Sequence, residues 1–291
     1  INTGLHDKVD TVSTVIDVAV CDFKELHPTE GYKKMAALTL PSYRVEDLEG
    51  HAVEAKIEDL GANFEYDLPK DKFRQARIAR QVRVTVPVHL APLSWTTFQL
   101  LEGEQEHRDG IYQNGVIDTP FITVSVDENI TVYDKTTHEA YEDVIRFEDR
   151  GDIGNEYIYF QPKGTEPIYA ELKGYEVLEN TARFAKILLK HELTIPVSAD
   201  EKLDAEQRGI IEFMKREAGR SEELTTLPLE TEMIVFVDNP QIRFKTRFTN
   251  TAKDHRIRLL VKTHNTRPSN DSESIYEVVT RPNKPAASWE N

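Results

Sequence analysis

Asp149, Asp152, Asn155 and Glu156 crowd side-chain oxygens into DRGDIGNEYIYFQP (149–162), with Gly151 and Gly154 between them and Tyr157 and Tyr159 directly after. Packed carboxylates repel one another unless donors meet them. Sugar hydroxyls are such donors, and a neighbouring tyrosine adds a ring face and a phenolic hydrogen bond. The two glycines permit positive φ angles and close backbone approach. The same residues also suit a tight turn leading into an aromatic strand, with Tyr157 and Tyr159 on alternate sides. On residue chemistry alone, turn and ligand loop stand level. A calcium loop of the EF-hand kind is excluded, because the D-x-[DN]-x-[DN]-G spacing is broken.

A second candidate is QIRFKTRFTNTAKDHRIRLLV (241–261), read as a hairpin. If its register pairs Arg243, Lys245 and Arg247 with Arg256 and Arg258, five cations share one face. In so acidic a chain, neighbouring carboxylates are the expected counter-charges, ahead of an anionic partner. Asp254 and His255, side by side in the turn, are the type of pair that does acid/base work, but such a pair more often satisfies local backbone groups. No GxSxG, HExxH, GxxxxGK[ST] or GxGxxG motif is present, so serine hydrolase, zincin and nucleotide readings lack an anchor. The nine histidines stand singly, and their spacing nominates no metal site.

These residues need elements to hold them, and period-2 patterning supplies strands almost throughout. Val12, Thr14, Ile16, Val18 and Val20 alternate in one run, and Ile78, Val82, Val84, Val86 and Val88 in another, where Pro87 calls for an edge or a bulge. Residues 1–102 read as a small antiparallel β-sandwich. The polar run EGEQEHRDG (102–110) marks the boundary, and 103–291 read as a larger sandwich, strand after strand, with YIYFQP among them. One short helix is expected after Ser198, which forms a capping box with Glu201. Leu203, Ile210, Ile211, Met214 and Ala218 give it an apolar stripe, and Gly219 follows as its C-cap residue.

Composition narrows the function classes. A net charge of −15 repels phosphate backbones and anionic head groups, so neither nucleic acid nor a membrane surface is an expected partner. The single Cys21 fits a reducing compartment, and no stretch approaches the roughly 20 apolar residues that span a bilayer. The chain opens at Ile1 and enters a strand pattern almost at once, as expected of a piece of a longer polypeptide.

Three segments carry a resemblance to a known family: ITVYDKTTHEAYEDVIRFEDRGDIGNEYIYFQP (130–162), GRSEELTTLPLETEMIV (219–235) and VDNPQIRFKTRFTNTAKDHRIRLLV (237–261). In this order they resemble the C-terminal β-domains of glycoside hydrolase family 38, the α-mannosidases, and in particular the bacterial branch that includes mannosylglycerate hydrolases. The likeness runs through nearly all of 110–291 and weakens in 1–101. It implies an all-β chain whose second domain is a galactose-mutarotase-like supersandwich, incomplete at its C-terminus. It also implies zinc in the full-length enzyme, with zinc ligands and aspartate nucleophile in an N-terminal barrel, and hence a fragment inactive alone. Retaining hydrolysis needs two carboxyl groups about 5 Å apart, and no such pair can be assigned here.

By position, the family's tyrosine that reaches into the sugar pocket is Tyr157, with Asp152 and Asn155 as its supports. Asn155 stands where the bacterial pattern often has Asp, which argues against a charge-dependent role there. The implied partners are an α-mannoside or mannosylglycerate-type sugar and the chain's own barrel, in a bacterial cytoplasm, with a homodimer left open. The alternative is a non-catalytic carbohydrate-binding or assembly module. A third class, the aldose epimerases, shares the large sandwich and requires a His/Glu pair, such as a distant histidine with Glu156, in one cleft.

Overall fold

The computed structural model describes residues 1–71, 73–106 and 108–284, and these are mostly strands in antiparallel sheets, as the all-β reading expects. Contacts divide the chain into two compact units. One comprises residues 1–111 with 180–184 and 236–239; the other comprises 112–179 and 185–235 with the chain from Pro240 on. The polar run at 102–110 includes His107, which lies outside the described residues. Among the described residues no helix is long and apolar enough to cross a membrane.

In the first unit β1 (Lys8–Asp22), α1 (Pro28–Ala36), β2 (Tyr43–Asp47), β3 (Ala52–Val53), β4 (Lys56–Asp67), β5 (Gln75–Leu90) and β6 (Phe98–Glu102) form two three-stranded sheets, β1-β5-β4 and β3-β2-β6. Alternation in β5 puts Val82, Val84, Val86, Val88 and Leu90 in one row, which packs on Val45 of β2. Pro87 sits beyond Thr85, where pairing with β4 begins, so β5 has a partner on one side only at that point. β1 is an edge strand, and its outer valines are less covered than their pattern suggests: Val12 and Val20 are about half exposed. Bulges in β1 at Asp17/Ala19 and in β4 at Asp59/Gly61 both lie opposite Gln81 of β5. Beyond them Cys21 and Ile78 pack under Met35 of α1. That helix escapes the sequence reading because only Gly31 and Met35 of its nine residues are buried, too few to print a stripe.

Apart from the end residues Asn180, Phe184 and Phe236, the second unit contains β7 (Tyr112–Gln113), β8 (Val116–Asp118), β9 (Ile122–Val126), β10 (Ile130–Asp134), β11 (Glu139–Tyr141), β12 (Ile145–Gly151), β13 (Ile168–Tyr169), β14 (Glu171–Asn180), β15 (Phe184–Pro196), α2 (Lys202–Arg208), β16 (Leu224–Phe236), β17 (Ile242–Arg247), β18 (His255–Val261), β19 (Ser269–Ser274) and β20 (Glu277–Pro282). Its larger sheets run β11-β10-β9-β8-β7, β13-β12-β18 and β14-β15-β16-β17. Phe147 of β12 packs on Leu193 and Ile195 of β15 and Leu227 and Leu229 of β16, so the second and third of these sheets share a core.

Three local expectations are corrected. First, residues 241–261 are no hairpin: β17 pairs with β16 and β18 with β12, in different sheets, so the five cations do not gather on one face. Second, YIYFQP is a loop, for reasons given below. Third, the helix stops at Arg208, and Ile210 takes a left-handed φ of 54° that ends it. No capping box forms: the Ser198 hydroxyl donates to its neighbour's carbonyl, and Asp200 accepts the Lys202 amide instead. Leu203 and Ala218 are buried, but Ile210 is 90% exposed.

His191 occupies one position in the inward row of β15, between Leu189 and Leu193. It sits edge-on to Phe147, and its Nδ1 has no partner. Burial pushes its pKa down to about 4, against a smaller upward pull from Asp143. The unfolded chain therefore binds this proton more readily, so stability present at neutral pH is lost as pH falls from about 6.5 toward 4. Between pH 7 and pH 4.5 this residue should account for roughly 2–3 kcal/mol of lost stability. Denaturant unfolding of His191→Leu at the two pH values should show a correspondingly smaller loss than the parent, and an equal loss in both would contradict the assignment.

Candidate functional site

β12 and β18 run antiparallel, with Glu148 opposite Arg258, Asp149 opposite Ile257 and Gly151 opposite His255. Alternation sends the adjacent carboxylates Glu148 and Asp149 to opposite faces, where they are 2% and 0% exposed. Glu148 bonds to Arg150, Arg258 and the Tyr169 hydroxyl. Burial alone would raise its pKa, but the two guanidiniums hold it at about 2. On the other face, Asp149 Oδ1 meets His255 Nδ1 at 2.6 Å and Oδ2 accepts from Arg220 Nη1 at 2.5 Å. Arg220 reaches it by lying across Gly151, where any Cβ would stand 2.9 Å from the arginine Cδ.

The chain then turns into the loop whose chemistry the sequence left open. Asp152 Oδ1 accepts the amides of Gly154 and Phe160 at 2.9 and 3.0 Å. Asn155 Oδ1 accepts those of Tyr157 and Ile158, both at 2.9 Å. These side chains take the backbone donors that a sheet ladder would need, which is why YIYFQP forms no strand. Neither Gly151 nor Gly154 has positive φ. Both serve close approach, most severely Gly154, whose Cβ would lie 1.8 Å from the Ile158 carbonyl oxygen. Ile153 and Phe160 anchor the loop against Leu203, Ala199 and Ala218, and Phe160 meets Phe213 edge-on at 5.6 Å.

Beside the loop lies a cavity of about 560 Å³ walled by Asp152, Asn155, Glu156, Arg216, Asp254 and His255, among others. All belong to the second unit. Asp152 and Asn155 thus share a wall, with their inner oxygens committed to the loop. Tyr157 is not part of that wall: it stands at the loop tip, 92% exposed. Asp254, with φ 52°, accepts the Ala199 amide on Oδ2, and its carbonyl accepts the Asp152 amide. It does serve backbone groups, but those of distant segments rather than of its own turn, and His255 reaches farther still.

His255 Nε2 faces Asn250 Oδ1 at 3.0 Å, and that oxygen also accepts the Ala252 amide, so it is fixed as an acceptor. Each ring nitrogen of His255 therefore faces an oxygen of the protein, and neither is left open toward a ligand. The cavity does bring a histidine and Glu156 together, as an epimerase would need, but with this histidine engaged at both nitrogens. Zinc likewise finds no free imidazole in this wall. Among the described residues Asp47, Glu49 and His51 bring three ligand atoms within 4.8 Å, in a turn where Asp47 already accepts the Glu49 and His51 amides.

Three of the cations of 241–261 find separate partners. Arg258 pairs with Glu148, Arg247 lies 3.5 Å from Glu232, and Arg256 stacks over the Tyr159 ring at 3.5 Å. The residues missed from sequence are Arg216 and Arg220. Arg216 falls within the helix expected over 198–219 and Arg220 directly after it, and nothing local marks either as reaching back to 149–154.

Residues 1–102 match the family model of glycosyl hydrolases family 38 C-terminal domain 1, the stretch where the motif likeness was weakest. Over 272 residues the chain is 31% identical to "Putative mannosylglycerate hydrolase" of Halalkalibacterium halodurans, covering 89% of this chain and 30% of that protein. The crystal structure of an α-mannosidase from Enterococcus faecalis V583 superposes on all of this chain with a TM-score of 0.90 and 34% identity, over 34% of its own length. A glycosyl hydrolase family 38 protein from Enterococcus faecalis covers 97% of the chain at a TM-score of 0.86 and 32% identity, again over 34% of its length. The chain thus spans about a third of these relatives.

The tight loop yields a direct test. Gly154→Ala cannot be absorbed by a side-chain shift, because the obstacle is backbone oxygen. It should cost about 1–3 kcal/mol in denaturant unfolding and speed hydrogen exchange at the Tyr157, Ile158 and Phe160 amides, whereas Gly164→Ala, with nothing within 4 Å but a φ of 68°, should leave those amides protected.

Proposed function

The chain belongs to glycosyl hydrolase family 38 as an α-mannosidase-like C-terminal region, and from that premise we propose that it is the β-rich part of a longer, zinc-dependent retaining α-mannosidase. In this reading the zinc ligands and both catalytic carboxyl groups reside in a barrel domain of the same polypeptide, and the present chain is inactive alone. The substrate is an α-mannoside of the mannosylglycerate type, handled in a bacterial cytoplasm, a setting that suits the lone buried Cys21.

The observation that carries the proposal is Tyr157. An aromatic side chain 92% exposed is ordinarily found on a mobile tip, yet here its own amide and the next are bound by Asn155 and the loop behind it is anchored by Ile153 and Phe160. A rigid platform presenting a ring and a phenol is suited to lining a sugar site completed by another domain. Asp152 and Asn155 act through that platform and need not touch sugar.

A second reading, a non-catalytic carbohydrate-binding module, draws on the cavity, whose walls all lie in one unit. Kinetics and binding separate the two. In the complete enzyme Tyr157→Phe should lower kcat/KM on an α-mannoside by roughly 5- to 15-fold, the worth of one hydrogen bond, and an unchanged value rejects the proposal. Calorimetric binding of methyl α-mannoside to the chain alone would favour the module.

A further inference from the structure

Arg216 is 8% exposed and lines the cavity. Its Nη1 donates to the carbonyls of Ile153 and Gly154, each at 2.6 Å, and its Nε to that of Ile211 at 3.3 Å. Among the described residues no carboxylate pairs with it, and no hydrogen bond reaches its Nη2. Carbonyls satisfy donors but do not cancel charge, and a guanidinium so deeply buried is costly until an anion meets it. Three other arginines of the same unit, Arg150, Arg220 and Arg258, already have carboxylates, from Glu148, Asp149 and Glu148 respectively.

The rest of the wall has the opposite character. Asp152 has Oδ1 tied to two amides and Asp254 has Oδ2 tied to one, which leaves Asp152 Oδ2 and Asp254 Oδ1 as acceptors for hydroxyl groups. Glu156 stands on the exposed rim, where solvent and salt weaken its charge. An uncompensated guanidinium beside hydroxyl acceptors matches a ligand that carries a carboxylate and hydroxyls together.

Building on the reading above, we infer that Arg216 is a specificity-determining residue. It binds the carboxylate of a small hydroxy-acid aglycone while Asp152 and Asp254 take that ligand's hydroxyls. The bonds to Ile153 and Gly154 orient the guanidinium so that it meets the ligand with little reorganisation.

The test uses two substrates of the complete enzyme that differ in one group: α-mannosyl-glycerate and α-mannosyl-glycerol. Arg216→Gln should raise KM for the glycerate conjugate roughly 10- to 100-fold, the range for a charge-assisted hydrogen bond, and move KM for the glycerol conjugate by less than about 3-fold. Equal losses on both would mean that Arg216 only clamps the loop, and no loss on either would mean that it meets no ligand; each overturns the inference. Glu156→Gln, which breaks no hydrogen bond of the loop, guards against misfolding of the first variant. It should lower KM for the glycerate conjugate by roughly 2- to 3-fold and leave the other unchanged, and identical effects on both conjugates count against the inference. A parent enzyme that cleaves both with the same KM sinks this assignment alone, whereas one that cleaves neither removes the α-mannosidase reading beneath it.

Discussion

Asp149 is the group on which the geometry of the second unit turns. Its side chain is fully buried, and it is approached by Arg220 at one oxygen and His255 at the other. Removing Arg220, the permanently charged partner, strips this buried carboxylate of its cation, at a cost of about 3–5 kcal/mol. Arg220 leaves its Nε and Nη2 without partners, so the bond is weaker than a two-pronged pair and is better understood as fixing position. What it fixes is considerable. Arg220 belongs to the chain leading into β16 and bridges to Ala199, Ala199 donates to Asp254, and Asp254 receives the Asp152 amide. The cavity wall is one connected set of bonds that begins at this carboxylate.

The same connectivity explains how an exposed tyrosine can be held still. Burial orders a side chain by contact, but a loop tip has no contacts to use. Order must then come from below, through satisfied backbone groups and a buried anchor. Asn155 supplies the first and Ile153 the second. Asn155 therefore matters as a neutral acceptor of two amides, a task in which its amide oxygen serves as well as a carboxylate would.

Much of the fold was legible, because period-2 burial prints directly into residue type. The valine row of β5 was visible as such. Legibility failed where the controlling interaction lies far along the chain or runs through single backbone groups. Arg220 and His255 stand 71 and 106 residues from Asp149, and no local pattern links them. YIYFQP has the composition of a strand, and only the capture of its amides by Asp152 and Asn155 makes it a loop. Gly151 and Gly154 were rightly singled out, but for close approach rather than φ. The helix after Ser198 was overextended because apolar spacing persisted past Gly209, where the left-handed Ile210 turns the chain aside.

Charge shows why the cavity differs from its surroundings. In a chain with net charge −15, a cation finds a counter-ion readily, and three members of the cationic run meet Glu148, Glu232 and an aromatic ring, as the preferred reading of that run expects for the two carboxylates. An arginine left unpaired in such a protein is the harder arrangement to maintain, since carboxylates are abundant and burial penalises the bare charge. Arg216 instead gives its Nη1 to two backbone carbonyls, and among the described residues it has no carboxylate partner. That geometry withholds internal compensation from one site in a molecule that supplies it at Arg150, Arg220 and Arg258, and so leaves the compensation to whatever enters.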